Sequence, residues 1–261
     1  MTLDLGPMMS IGQDRLLAGF AVFLRVGAIM ALMPAFGERS VPLRVRLGVA
    51  LAFTVIVVPS VSGQVLSSIP KQGTGAIFLA TETISGLVLG MGFRLFVLAL
   101  QTAGAIAAQS TSLSQAFGGS AVLDPQPAIG HMLVFGGLAI AVMSGLHVRL
   151  AETIILSYDY FPPGKFPGTG EVANWGVAQT ASAFSLAFSL AAPFVIASLV
   201  YNVALGIINR AMPQLMVAFV GAPAITAGAL FLMFLVMPLM LAIWSDALMQ
   251  FMQNPFGGGY E

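Results

Sequence analysis

Cysteine is absent from all 261 residues. That excludes a disulfide framework, a thiolate nucleophile and a zinc–thiolate site. Charge is nearly as scarce. Lys, Arg, Asp and Glu make up 8% of the chain, against about 25% in a soluble domain. Too few polar groups remain to cover a soluble globule, and the 58% hydrophobic content needs lipid or partner chains around it. Net charge is zero, so no electrostatic footprint for nucleic acid exists. Histidine occurs only at His131 and His147, sixteen residues apart without converging ligands, so no metal site is expected. No nucleophile, base and orienting group occur in register, and no phosphate-binding glycine–lysine loop is present; the reading is not an enzyme, with no cofactor. Before Arg15 the N-terminus carries no basic residue, so no cleaved secretory signal is expected.

What is abundant is uninterrupted apolar sequence. Between Glu171 and Glu261 the only charged side chains are Arg210 and Asp246. Residues 172–209 and 211–245 are each free of charge and exceed the roughly 20 residues that carry a helix across a bilayer. The fold class is therefore all-α, a polytopic integral membrane protein with long, proline-broken helical hairpins. Residues 1–252 are read as one domain and 253–261, with three consecutive glycines, as a disordered tail.

Six apolar segments are expected. The first covers about 16–36, with Arg25 inside it, and a turn follows at 37–42. The second starts near Pro42 and ends before Pro59, leaving 60–75 as a polar loop. The third, 76–115, would measure about 60 Å as a helix, twice the bilayer core. Gly118-Gly119 and Asp124-Pro125-Gln126-Pro127 break the chain before a fourth segment at about 129–158. A proline-rich loop at 161–168 precedes the fifth segment, 175–208, with Pro193 inside. The sixth covers 222–251, with Pro238 inside. The positive-inside rule puts Arg39, Arg44 and Arg46 in the cytoplasm, and six full crossings would put Arg210 there too and both termini outside.

Three charges lie within apolar segments: Arg25, Glu82 and Arg94. Charges at such positions face a protein interior or a watery cavity. Glu82 and Arg94 are about 18 Å apart along one helix and cannot pair directly, so each needs another partner. They mark either a transport path or ion pairs between helices or subunits. Arg149 and Glu152, three residues apart, form a surface pair.

Gly86 and Gly90 make a small-xxx-small pair, and Gly104, Ala108, Ser112 and Ala116 repeat at every fourth residue, a spacing that lets helix backbones approach. Gln101, Gln109, Ser110, Thr111, Ser112, Ser114 and Gln115 crowd the same stretch. A helix this polar cannot face lipid and must line a cavity, a pore or another polar helix. It runs into Phe117, Gly118 and Gly119, where the backbone can bend freely.

Several stretches together resemble the FliR family of flagellar export-gate proteins and its injectisome counterpart, SctT. They are Pro34-Ala35-Phe36-Gly37-Glu38-Arg39-Ser40-Val41-Pro42; the polar, glycine-bearing 109–125 closing on Asp124-Pro125; and Ile208-Asn209-Arg210-Ala211-Met212-Pro213-Gln214-Leu215. The resemblance covers about 15–250, in order and spacing. It departs at Met216, where Asn is expected.

The resemblance implies a subunit of the type III export gate, assembled with FliP-like and FliQ-like chains and an FlhB-like switch protein. Unfolded secreted proteins would pass through a pore in the bacterial inner membrane, at the flagellar basal body. It implies a pore-closing plug in 110–124, with Gln109, Ser110, Ser112, Gln115, Phe117, Gly118 and Gly119 at the pore. Glu38, Arg39, Asp124, Pro125, Asn209, Arg210, Pro213 and Gln214 would form assembly contacts. Apart from the injectisome counterpart, the competing class is a stand-alone secondary transporter built on Glu82 and Arg94, for which two similar halves are expected; no repeated motif is seen.

Overall fold

The structure, a computed structural model, describes residues 6–37, 41–70, 75–111, 128–212 and 217–257. Every regular element among them is an α-helix: α1 Gly6–Leu32, α2 Leu43–Ser68, α3 Gly75–Ser110, α4 Ala128–Met143, α5 Leu146–Tyr160, α6 Thr169–Ala211 and α7 Val217–Gln253. Five of these helices are long and apolar enough to cross a membrane, and the α4–α5 pair makes up to six. The chain is an all-α, multi-pass membrane protein.

Two expected boundaries move. α2 does not stop at Pro59 but continues to Ser68. Proline removes one hydrogen bond from a helix interior, yet Val57, Val61 and Val65 remain buried along one stripe on both sides of it. That continuous buried face outweighs the lost bond. α6 and α7 likewise run through Pro193 and Pro238, so these prolines lie within helices rather than dividing them. The fourth apolar segment, in contrast, is two helices. Gly145 adopts φ +83°, the left-handed region that ends a right-handed helix, and α5 starts again at Leu146. Composition changes at the same place: α4 carries no charged side chain, whereas α5 carries Arg149, Glu152 and Asp159.

The chain divides into two compact units. The first gathers residues 1–95, 145–179 and 249–261. Within it α1 packs on α2, and α2 on α5. Buried Ala18, Val22, Val26 and Ile29 recur at helical spacing along α1, and buried Met33 follows its end. Past α1 the chain turns tightly: the Gly37 amide donates to the Met33 carbonyl at 2.7 Å, and Ala35 takes φ +67°. The tail region is anchored as far as it is described. The Trp175 indole N–H donates to the Pro255 carbonyl at 2.7 Å, and the Phe93 and Phe251 rings meet edge to face at 5.2 Å. Residues 258–261 lie outside the described residues.

The second unit comprises residues 96–144 and 180–248. Its centre is Trp244, fully buried, with its indole N–H donated to the Phe96 carbonyl at 2.9 Å. Glycines of α4 admit its neighbours: a Cβ on Gly137 would lie 2.7 Å from Leu100 Cδ1, and one on Gly136 2.8 Å from Leu241 Cδ1. In lipid, such close packing supplies the attraction that water would otherwise drive.

Candidate functional site

Glu82 and Arg25 are the most buried charged side chains described in the first unit, at 0% and 1% exposure. They are each other's partner. Arg25 Nε donates to Glu82 Oε2 at 2.8 Å and Nη2 to Glu82 Oε1 at 3.0 Å, a two-point pair between α1 and α3. Nη2 also donates to the Phe161 carbonyl at 2.9 Å, and Nη1 reaches the Ser157 carbonyl and hydroxyl at 3.3 Å each. The five guanidinium hydrogens thus meet five acceptors. The guanidinium also lies 3.7 Å from the centroid of the Tyr158 ring, a cation–π contact strengthened by burial.

Burying two charges costs several kcal/mol per ion, recovered only when geometry and extra hydrogen bonds are this complete. The node ties α1, α3 and α5 to the start of the proline loop. It is sealed from solvent, which suits a structural clamp and not an ion path. Ser157, Tyr158 and Phe161 carry no sequence signal for this role, because they lie more than 130 residues from Arg25.

The glycines explain how the clamp closes. A Cβ on Gly86 would collide with the Arg25 carbonyl, and one on Gly90 would lie 3.1 Å from Leu32 Cβ and 3.2 Å from Ile29 Cα. The spacing thus places α3 directly against the α1 backbone. In the second unit Gly104 plays the same part: its Cβ would collide with Gly130 of α4. Arg94 is half-buried in α3 with interactions of its own and is not part of the Arg25–Glu82 pair.

The pore and assembly candidates are reached only in part. Gln109 is exposed on the last turn of α3. Ser110 and Thr111 turn their hydroxyls back onto the Ala107 carbonyl, at 2.9 and 2.8 Å. The same carbonyl also accepts the Thr111 backbone N–H at 3.2 Å, so three donors converge on the last turn of α3. Ser112, Gln115, Phe117, Gly118, Gly119, Asp124 and Pro125 lie outside the described residues, as do Glu38, Arg39, Pro213 and Gln214. Asn209 and Arg210 are exposed at the C-terminal end of α6, where a cation complements the helix dipole. His147 is exposed, and His131 stacks on Phe135 at 6.5 Å. Among the described residues no group of three acidic or histidine side chains could hold a metal ion. Arg149 and Glu152 pair at 3.1 Å on the surface.

Comparison with known proteins identifies the lineage. The family described as bacterial export proteins, family 1, matches residues 16–251. The chain belongs to this family. Its relatives include the flagellar biosynthetic protein FliR of Caulobacter vibrioides, 33% identical over 229 residues, 86% of this chain and 90% of the relative. FliR of Escherichia coli K12 is 31% identical over 230 residues, covering 84% of both chains. FliR of Bacillus subtilis is 30% identical over 210 residues, 77% of this chain and 79% of the relative. The match spans the Arg25–Glu82 node, both glycine-packed helix contacts and the polar stretch at the end of α3. These features therefore belong to an export-family chain, a component of the flagellar export apparatus.

Proposed function

We propose that this chain is the FliR-type subunit of the flagellar type III export gate. It assembles with FliP-like and FliQ-like chains into a pore through the bacterial inner membrane at the flagellar basal body, abuts an FlhB-like switch protein, and passes unfolded substrates without catalysing a reaction. The family match over residues 16–251 carries the reading. The exposed apolar surface agrees with it: of the membrane-length windows, 56% of that in α3 is buried, against 28% in α6 and 22% in α7. Helices with so little of their surface covered by their own chain need lipid or neighbouring subunits around them.

Two groups of residues take roles in this reading. Segment 110–124 is the plug, hinged at Gly118 and Gly119, with Gln109, Ser110, Ser112, Gln115 and Phe117 toward the pore. A gate that yields to a peptide must be held shut weakly, and glycines with small polar side chains provide flexibility without gripping one substrate. Glu38, Arg39, Asp124, Pro125, Asn209, Arg210, Pro213 and Gln214 form contacts between subunits.

Co-expression tests the assembly. Alone, the chain is expected to aggregate; with FliP-like and FliQ-like chains it is expected to purify as a discrete complex. Arg210→Ala is expected to reduce the yield of that complex, since removing one partner of a buried ionic contact costs about 3–5 kcal/mol. A monodisperse, stable monomer in mild detergent would overturn the gate reading. Normal assembly and motility with Arg210→Ala would remove Arg210 from the interface.

A further inference from the structure

The first unit is built from three separated pieces, residues 1–95, 145–179 and 249–261, and residues 180–248 are made before the third piece can join the other two. Among the described residues, every hydrogen-bond partner of Arg25 lies no later than Phe161. The clamp on α1, α3 and α5 therefore needs only the first two pieces. The third piece is packed where it is described. Phe251 and Met252 are each 2% exposed, and Pro255 is buried.

What holds the third piece comes from the earlier two. α7 ends at Gln253, and the last carbonyls of a helix have no donor within it. The Thr153 hydroxyl of α5 donates to one of them, Met252, at 3.0 Å, but its single hydrogen is shared with the Arg149 carbonyl at 2.8 Å. The Trp175 indole of α6 donates to the Pro255 carbonyl at 2.7 Å, and the Tyr160 hydroxyl reaches Asn254 Oδ1 on the surface at 3.4 Å. α3 supplies a seat: a Cβ on Gly92 would lie 2.6 Å from Phe251 Cζ and 3.0 Å from Trp175 Cη2, so only glycine leaves both rings room. The Phe256 ring centroid lies 5.0 Å from Tyr160, 4.6 Å from Phe161 and 5.3 Å from Trp175. Packing beside this cluster is incomplete. A cavity of about 300 Å³ remains, lined by Tyr160, Phe161, Glu171, Val172, Trp175 and Phe256, and atoms that line a void forfeit part of their dispersion contact. This is a weak fastening next to the two-point ion pair and the further acceptors around Arg25.

We infer that residues 251–256 are a closing strap of the first unit: they dock after the Arg25 clamp has formed, and they open and reclose while the clamp stays shut. The free energy of such a local opening is set by the contacts of the segment and not by the stability of the whole unit. Closure covers Thr153 and the Trp175 ring edge, and the open form bares them. The strap orders the folding of the chain. The first unit reaches its final form only after the residues of the second, 180–248, have been made.

The inference does not rest on the export-gate reading, and its test reads the first unit alone. Because the chain has no cysteine, single thiols can be placed in it without background. Thr153→Cys reports on the strap. Ser85→Cys reports on the clamp: Ser85 is equally buried, at 1% exposure, one turn from Glu82 and beside the Gly86 contact with Arg25. N-ethylmaleimide is added to native membranes and the rate of thiol loss is measured for each reporter. Trp175→Phe, which leaves the Pro255 carbonyl without its partner, is expected to speed labelling of Thr153→Cys about tenfold. Phe256→Leu is expected to act in the same direction, and a stop after Gln250 to act more strongly. None of the three is expected to change labelling of Ser85→Cys, and a stop after Gly257 is expected to change neither reporter. If the chain stopped after Gln250 does not accumulate, the two full-length substitutions decide alone. Labelling that rises equally at both reporters would overturn the strap, since the segment would then open only with the whole unit. Unchanged labelling of Thr153→Cys in both substitutions would overturn it as well.

Discussion

Arg25 shows what one residue can hold together. Its guanidinium reaches Glu82, Ser157, Phe161 and Tyr158 from a position with 1% exposure. Removing either ionic partner leaves an uncompensated buried charge. Glu82→Leu is therefore expected to destabilise the chain by about 3–5 kcal/mol, read as a loss of folded, protease-resistant protein in membranes. The double replacement Arg25→Met with Glu82→Leu is expected to recover most of that loss, because two packed apolar side chains need no desolvation. Recovery would identify the pair as a clamp. A double variant that is stable yet inactive in export would instead give the charges a functional role. The presence of buried charges is legible in the sequence, since Arg25 and Glu82 stand out within apolar runs. Their pairing is not, because nothing in either local pattern encodes the approach of two helices 57 residues apart.

At the level of helices, the same residue type has opposite meanings at different positions. Gly104 faces Gly130 across the α3–α4 contact, with no room for a methyl group. Gly63 in α2 has open space around it. Gly104→Ala is expected to destabilise by about 1–3 kcal/mol through overpacking, whereas Gly63→Ala is expected to stabilise by about 0.5–1 kcal/mol through reduced backbone entropy. Thermal unfolding of the two variants in the same detergent would show shifts of opposite sign, and shifts of the same sign would refute the packing assignment. The small-residue spacing at 86, 90 and 104 signals close helix contact in advance. The break at Gly145 is different. A lone glycine is compatible with a continuing helix, and its φ of +83° is what separates α4 from α5. The prolines mislead in the other direction, as Pro59 costs α2 one hydrogen bond but not its buried face.

For the whole molecule, the gate reading makes a prediction with two arms. Deleting part of 114–120 is expected to leave the assembled complex intact and make the membrane leak small ions. Replacing Gly118 and Gly119 with valine is expected to stiffen the hinge and slow export without leak. Ion-flux and assembly measurements on the same deletion strain decide it, and an assembled complex that stays sealed would exclude 110–124 as the plug. Composition anticipates much at this scale. A chain with 8% charge and charge-free runs at 172–209 and 211–245 can only be built from membrane-length helices.

The sequence by itself determined the class of molecule, because hydropathy and charge spacing act locally and survive any arrangement of the helices. It also marked the positions where something other than lipid must be met: the buried charges, the small-residue stripes and the polar end of α3. Only the tertiary structure decided what is met there. The partner of Arg25, the seat of Gly104 against Gly130 and the aromatic pocket closed by Phe256 each join residues far apart in the chain. Apolar helices offer many near-equivalent ways to pack, and the choice among them rests on steric fit and hydrogen-bond satisfaction, which exist only once the backbones are in place.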